Sequence, residues 1–572
     1  MCGIVGFIDK KSNTDVKRRE EIVRGMLDLI RHRGGDATGV VTHDNITIGH
    51  TRLAIVDVTH NADQPYESDD YILSYNGEIY NHDVLRNQYC VDRTIQSPSD
   101  TATLFALLHT LPIEDVLRMI DGMYAFSVLD VKNRTVFLAL DKMAIKPLYY
   151  VDTSEYFAWA SEIKAFKALP GFVFRMNREV LFEHLVFRYI FGKPTLLENV
   201  FKIQSGTYLN YSLDSGTFYA KKYFELTKGD SSNENTEEVL CESVKRNLMS
   251  DEPVGVQLSG GLDSSLVSYF AQKNSSNPIH SFSIGLRNDE WNEFEYSDAI
   301  SKELGTIHHK ILFTKEEFVN FFEKITYHLD EPIVHSNTVP MYLLAKYARQ
   351  YTKVLITGEG ADEVYLGYRR YPKKDIICDE ELLYSNVFSS PDTVLSILKN
   401  KTQSLSERKL LVQKVSDLDW QDKLSHYNML TYLPHVLLRQ DKAGMAANVE
   451  NRVPFLANSM VQAGYNSSLK IGEFEGKTPL KRVALKYFPR DFVLRKKCGF
   501  GLPISDWLKD ENCLLPHLNA LKRSQLISEH FNEENINKMI SEHLDGANDH
   551  SIMLFSLVGL DTWHRIFCSP NE

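Results

Sequence analysis

Short runs rich in aromatic and β-branched residues punctuate the first part of the chain, at residues 3–8, 71–75, 135–140 and 156–161. Runs of this kind predict β-strands. Between the first two, Ile22, Met26, Leu29 and Ile30 fall on one face of a helix spanning roughly residues 16–30. Together they predict an α+β domain with substantial sheet. A polar stretch, Gly229-Asp230-Ser231-Ser232-Asn233-Glu234-Asn235-Thr236, then breaks the pattern and marks the expected domain boundary. Beyond it the rhythm becomes strand, turn, helix. Residues 254–258 form a compact apolar run, and Leu262, Leu266, Tyr269 and Phe270 recur at helical spacing. Further strands are expected at 279–286, 310–313 and 353–356. Alternation of this kind predicts a parallel sheet covered on both faces, with ligands beyond the carboxyl ends of its strands. From about Asp375 onward the pattern is mostly helical, and no internal repeat is visible.

Composition narrows the function class. The 572 residues suffice for two to four domains. The net charge of −12 and the lack of a long basic run argue against sequence-independent nucleic-acid binding. Seven widely spaced cysteines, none in a CxxC pair, predict neither a disulfide framework nor a zinc site. A reducing compartment, the cytoplasm, is expected. The apolar opening, residues 4–8, is too short for a signal peptide. No run approaches the ~20 apolar residues of a membrane span.

The candidate chemistry begins at Cys2. Removal of Met1 would place a thiol and a free α-amino group on one residue. An amine with an ordinary pKa near ~8 can take the proton that turns a thiol into a nucleophile. A second candidate follows the apolar strand at 254–258, where Ser259-Gly260-Gly261-Leu262-Asp263-Ser264-Ser265 opens a helix. The glycines let backbone N–H groups approach an anion, and the helix N-terminus adds its dipole. Asp263 can hold a magnesium ion that bridges phosphates. The lysine of a Walker loop is missing; the pattern resembles the pyrophosphate loop of N-type ATP pyrophosphatases. A third cluster, Thr357-Gly358-Glu359-Gly360-Ala361-Asp362-Glu363, again follows a strand. Three carboxyl groups beside a phosphate site require an intervening cation, which makes Asp362 a second magnesium partner. The adjacent His308 and His309 would point to opposite faces of a strand and form no metal site.

These clusters belong to an ordered series. Arg31-His32-Arg33-Gly34 with Asp36 and Gly39 comes first, followed by residues 49–57, Gln64-Pro65, residues 76–82, Ser99-Asp100 and Lys146-Pro147-Leu148-Tyr149-Tyr150. The two loops come next. Asp330-Glu331-Pro332, Glu450, Arg452-Val453-Pro454-Phe455-Leu456 and Gly499-Phe500-Gly501 complete it. Over nearly its full length the chain resembles the glutamine-dependent asparagine synthetases and their relatives.

The resemblance implies two domains. Residues 1–228 would form a class II glutamine amidotransferase domain of the N-terminal nucleophile type, an αββα sandwich. Residues 229–572 would form an ATP-dependent synthetase domain with a Rossmann-like parallel sheet and a helical C-terminal part. In the first, Cys2 would attack the glutamine amide, with the Asn76 side chain and the Gly77 N–H as oxyanion donors. Arg52 would take the substrate α-carboxylate, Glu78 and Asp100 its α-ammonium, and the backbone of Leu53, Ala54, Ile55 and Val56 would line the site. In the second, ATP and a carboxylate would give an acyl-adenylate that ammonia resolves. Ser259, Gly260, Gly261, Asp263 and Ser264 would hold pyrophosphate, with Asp263 and Asp362 on Mg2+. Gln257, Ile284, Thr357 and Gly358 would line the adenylate. Glu359 would be the general base, and Lys497, with Lys496 as its rival, would neutralise the developing charge. The expected partners are glutamine, ATP and a carboxylate acceptor, aspartate first; a homodimer is the assembly allowed for.

The chain departs from the family pattern at Gly35, Ala102, Leu140, Ala144 and the pair Ala457-Asn458. Most of these lie outside the implied catalytic set and leave the acceptor open to another acid, such as a sugar uronic acid. The replacements at 457–458 and the stretch His335-Ser336-Asn337 are expected near the acceptor cleft. A bare glutamine hydrolase with a dead second site is the rival of another kind, disfavoured by the intact serine loop and Glu359.

Overall fold

The computed structural model describes residues 2–90, 97–229, 235–287, 292–371, 377–467, 470–496 and 501–569. Strand β1 (Cys2–Asp9) is apolar on both faces: Ile4 and Ile8 enter one core, Val5 and Phe7 another. A strand of that kind must lie inside a stack of layers. Chain order continues with β2 (Ala37–His43), β3 (Ile46–Arg52), β4 (Tyr66–Glu67), β5 (Tyr71–Ile79), β6 (Gly122–Asp130), β7 (Thr135–Leu140), β8 (Tyr149–Asp152), β9 (Tyr156–Ala160), β10 (Val200–Lys202), β11 (Thr207–Ser212) and β12 (Phe218–Lys222). They build two six-stranded sheets, in the orders β10-β8-β9-β1-β3-β2 and β12-β11-β7-β6-β5-β4. All pairings in them are antiparallel. Ile4, Ile48, Ile72, Leu138 and Trp159 fill the space between the sheets. Helix α1 (Val16–Leu29) covers the outer face of the first sheet through Val23, Met26 and Leu27. Helix α2 (Asp100–Leu108) covers the outer face of the second through Leu104 and Leu107. This is the αββα sandwich.

The second half carries β13 (Val254–Gln257), β14 (His280–Leu286), β15 (Ile307–Phe313), β16 (Val354–Ile356) and β17 (Glu450–Arg452). They form one parallel sheet in the order β15-β14-β13-β16-β17. Helix α3 (Leu262–Lys273) packs on one face through Leu266 and Phe270, and α4 (Thr338–Ala348) on the other through Leu344 and Ala345. Strand β15 starts three residues earlier than its apolar run, because Ile307, His308 and His309 pair in register with His280, Ser281 and Phe282. Strand order reverses between β13 and β16, the switch point at which such sheets bind ligands. A long helix, α5 (Trp420–Met445), runs through the helical remainder. Among the described residues no helix is long and apolar enough to cross a membrane.

The two halves meet through buried charges. Arg33 pairs with Glu162 at 2.8 Å and with Asp441 of α5 at 2.9 Å. Asp441 also faces Lys146 at 3.3 Å. Beside them Asp330 bridges Lys164 at 2.8 Å and Lys442 at 2.7 Å. Burial of charge is costly unless each ion finds a partner, and every member of this set has one.

Candidate active sites

The β1–β3 pairing places Cys2 directly opposite Arg52. The Cys2 backbone nitrogen donates to Asn76 Oδ1 at 2.9 Å, and its carbonyl accepts from Arg33 Nε at 3.0 Å. Burial pushes the Cys2 thiol up, opposed by the Leu53 backbone and the charge of Arg52. Asn76 Nδ2 is buried and has no hydrogen-bond partner. Gly77 leaves no space for a side chain: a Cβ there would stand 2.2 Å from the Met123 carbonyl.

A cavity of about 30 Å³ adjoins Cys2 and is lined by Arg52, Leu53, Ile55, Val56, Gly77, Glu78 and Asp100, all expected, and by Gln64, Tyr75 and Thr101. Ala54 is turned away, its N–H given to Asp36 at 2.9 Å. Arg52 is held by Asp63 at 2.7 Å and by the Thr59 carbonyl at 2.8 Å. Asp100 accepts from the Tyr75 hydroxyl at 2.6 Å and the Ile79 N–H at 3.0 Å. Burial and the nearby Asp100 raise the Glu78 carboxyl well above its ordinary range, although Arg452 of the second half reaches Glu78 Oε2 at 3.0 Å.

The second site is a cavity of about 810 Å³ at the carboxyl ends of β13 and β16. Gln257, Ser259, Gly261, Asp263, Ser264, Thr357, Gly358, Glu359 and Asp362 all line it, as expected. Ser259 and Ser264 face each other, their hydroxyls 3.0 Å apart. Gly260 lies behind the wall, its φ of +78° turning the loop and its carbonyl accepting from Arg495 at 2.7 Å. Ile284 also lies off the wall; it packs into the sheet core. Lys496 lines the cavity, whereas Lys497 lies outside the described residues.

Two features add to the sequence reading. The Lys477 ammonium, which that reading did not include, meets Asp263 at 2.5 Å and Asp362 at 2.7 Å. Glu363 does not join them. It is buried under the Tyr368 hydroxyl at 2.7 Å, and burial together with Asp362 raises it to about 7. Lys477 adopts φ +54° after Gly476 at +82°. A Gly-Lys-Thr-Pro run opening a helix was the available signal. The expected acceptor determinants are also elsewhere. Ala457 is buried in the core, and the Asn458 N–H donates to Asp121 at 3.1 Å. Asn337 accepts from Arg439 at 3.0 Å, away from the cavity. Among the described residues no three His, Cys, Asp or Glu side chains form a metal cage. His308 turns to Ser281 and His309 to His280, each at 2.8 Å.

Strand β17 joins the two sites. Arg452 contacts Glu78 in the first and also Glu450 at 2.7 Å, while its carbonyl accepts from the Thr357 N–H at 2.9 Å in the second. Asn451 Oδ1 accepts from Gln257 at 3.1 Å.

Comparison with known proteins places this geometry. The Asparagine synthase family profile matches residues 235–565, more than half of the chain, and the Glutamine amidotransferase domain profile matches residues 1–224. The chain belongs to the asparagine synthase family. "Asparagine synthetase [glutamine-hydrolyzing] 1" of Bacillus subtilis is 29% identical over 563 residues, covering 89% of this chain and 88% of its own. "Asparagine synthetase B [glutamine-hydrolyzing]" of Escherichia coli is 31% identical over 398 residues, covering 65% and 66%. A "Putative asparagine synthetase [glutamine-hydrolyzing]" of Mycobacterium tuberculosis is 27% identical over 639 aligned positions, covering 99% and 97%. As a member of the asparagine synthase family the protein is an ATP-dependent ligase that uses glutamine as amido donor.

Proposed function

We propose that this protein is a glutamine-hydrolysing asparagine synthetase. Cys2, freed of Met1, attacks the glutamine side-chain amide while its own amine takes the thiol proton. The unpartnered Asn76 Nδ2 carries this reading. A buried donor with no acceptor is costly, and a developing oxyanion beside the nucleophile is the acceptor it suits. The Gly77 N–H is the second donor. Arg52 exchanges Asp63 for the substrate α-carboxylate, and Glu78 and Asp100 take the α-ammonium. A cavity of 30 Å³ holds about one water, so Arg52 and the segment bearing Asp63 move aside as glutamine enters. Met123, Met143 and Ile145 meet Leu258, Ile356 and Leu456 in one apolar cluster across the halves. Neutral ammonia would cross such an apolar cluster at less cost than ammonium.

In the second site an acceptor carboxylate oxygen attacks the α-phosphorus of ATP, and pyrophosphate leaves onto Ser259, Gly261 and Ser264, with Gly260 turning the loop behind them. Gln257, Thr357 and Gly358 line the adenylate. Ammonia attacks the acyl carbon, Glu359 takes the proton that its nitrogen sheds as the C–N bond forms, and AMP leaves; Lys496 or Lys497 neutralises the phosphate. The residues fit a magnesium ion, since Asp263 Oδ1 is buried without a hydrogen-bond partner and Mg2+ takes carboxylate oxygens together with substrate phosphates. Asp263 and Asp362 would hold it, and when bound it neutralises phosphate charge. Aspartate is the acceptor assigned. The cavity wall carries Arg369 and Lys481 for a second carboxylate and Glu473 for an ammonium. The free state of the six described cysteines suits a cytoplasmic enzyme.

Replacing Asn76 by Ala should slow glutamine hydrolysis by roughly 10²–10³-fold, while AMP release from ATP, aspartate and added ammonia persists. Unchanged hydrolysis would remove the oxyanion assignment. ADP in place of AMP, or AMP release that a uronic acid stimulates and aspartate does not, would overturn the mechanism or the acceptor respectively.

A further inference from the structure

A third cavity, of about 200 Å³, lies where α5 crosses the first domain, and no residue of either reaction site lines it. Its walls are largely apolar, with Leu148, Ile190, Phe191, Leu430 and Leu438 facing the space. Polar groups interrupt them, among them Lys146, Gln204, Thr207 and Lys222, and four features bear on a ligand. The Lys202 ammonium, half-buried, donates to the Ile190 carbonyl at 2.7 Å, and burial pulls its pKa down. Glu331 is ionised: against the burial that would raise it, His435 and Lys202 hold its carboxyl down to about 2. The His435 side chain is only 9% exposed and stacks on Tyr189 at 5.5 Å. Its Nδ1 lies 3.8 Å from Glu331, and its Nε2 is buried with no hydrogen-bond partner. Pro434, inside α5, has no N–H to give the Leu430 carbonyl four residues back, and both residues line the cavity.

These features sort by what they can bind. With the Nδ1 proton directed at Glu331, His435 Nε2 is an acceptor. Among its polar groups the cavity offers three acceptors close together, Glu331, His435 Nε2 and the Leu430 carbonyl. A protonated amine brings three donors. Lys202 supplies a cation for a carboxylate, and Leu148, Ile190, Phe191 and Leu438 bury an apolar group. Size sets the upper bound. A cavity of about 150 Å³ takes a benzene-sized guest, so this one admits a molecule somewhat larger and excludes a nucleotide. We propose that the cavity between α5 and the first domain binds a small apolar α-amino acid of the size of leucine, held by Glu331, His435 and Lys202. Occupancy is tied to the chemistry through α5. The same helix carries Asp441, which holds Arg33, and Arg33 holds the Cys2 carbonyl.

The test is thermal unfolding and calorimetry on the full-length protein without substrates, so its outcome does not depend on the acceptor assignment. L-Leucine should raise the unfolding midpoint by about 2 °C at saturation. Isovalerate, a branched acid with no ammonium, and isoamylamine, which lacks the carboxylate, should not. Lys202→Met and the cavity-filling Ile190→Trp should each abolish the leucine effect while keeping a cooperative transition. Glutamine hydrolysis by the unmodified chain should change when leucine is added and should not change in Ile190→Trp. A midpoint unmoved by leucine, valine or phenylalanine would overturn the proposal. So would an equal response to isovalerate, or a leucine response surviving in both variants.

Discussion

Ala144 shows how a single residue can carry a conformational cost that its surroundings impose. Asp141 is fully buried and accepts backbone N–H groups from Tyr124, Met143, Ile145 and Lys146, which winds residues 141–146 tightly around one carboxylate. The winding puts Ala144 at φ +56°, a conformation that favours glycine. Left-handed backbone costs an L-residue about 1–2 kcal/mol, partly offset by the greater flexibility of unfolded glycine. Ala144→Gly should therefore stabilise the protein by about 0.5–1 kcal/mol, measured as a rise in the denaturant midpoint at unchanged slope. At this scale the sequence was informative where chemistry is local. Cys2, the serine loop and Asn76-Gly77-Glu78 announce themselves by type and order. Lys477 did not, because its meaning comes from Asp263, 214 positions away.

Among elements, those that bury two apolar faces were legible and those that bury charge were not. The runs of β13, β14 and β16 are apolar enough to require a covered parallel sheet. Strand β17 consists of Glu450, Asn451 and Arg452, all buried, and no hydrophobic pattern marks it. It is a strand because β16 supplies its ladder, Glu450 supplies countercharge to Arg452, and Glu78 accepts a further hydrogen bond from it. Removing one member of such a set leaves the others buried and unpaired. Arg452→Met should destabilise by about 3–5 kcal/mol in chemical denaturation. Below that threshold of unfolding, any effect of ATP on the KM for glutamine should be smaller than in the unmodified protein, because Arg452 touches both the Thr357 N–H and Glu78. An ATP effect of unchanged size would show that the strand does not couple the sites.

For the whole molecule, the docking of the halves was the least legible feature. Arg33 and Asp441 are 408 positions apart, and neither looks unusual in its own segment. Asp441→Asn should weaken this junction by about 3–5 kcal/mol. It should also lower glutamine-dependent synthesis more than ammonia-dependent synthesis, since Arg33 positions only the first site. Equal loss of both activities would indicate general unfolding instead.

The same junction has a consequence during synthesis on the ribosome. A chain growing at about 5–20 residues per second delivers Asp441 some ~20–80 s after Arg33. Until then the arginine that fixes the Cys2 carbonyl lacks its distal anchor. Through that interval Glu162, in its own domain, is the partner that holds the Arg33 side chain. Docking of the first domain onto α5 is thus a late step, open to completion only once residue 441 has been made.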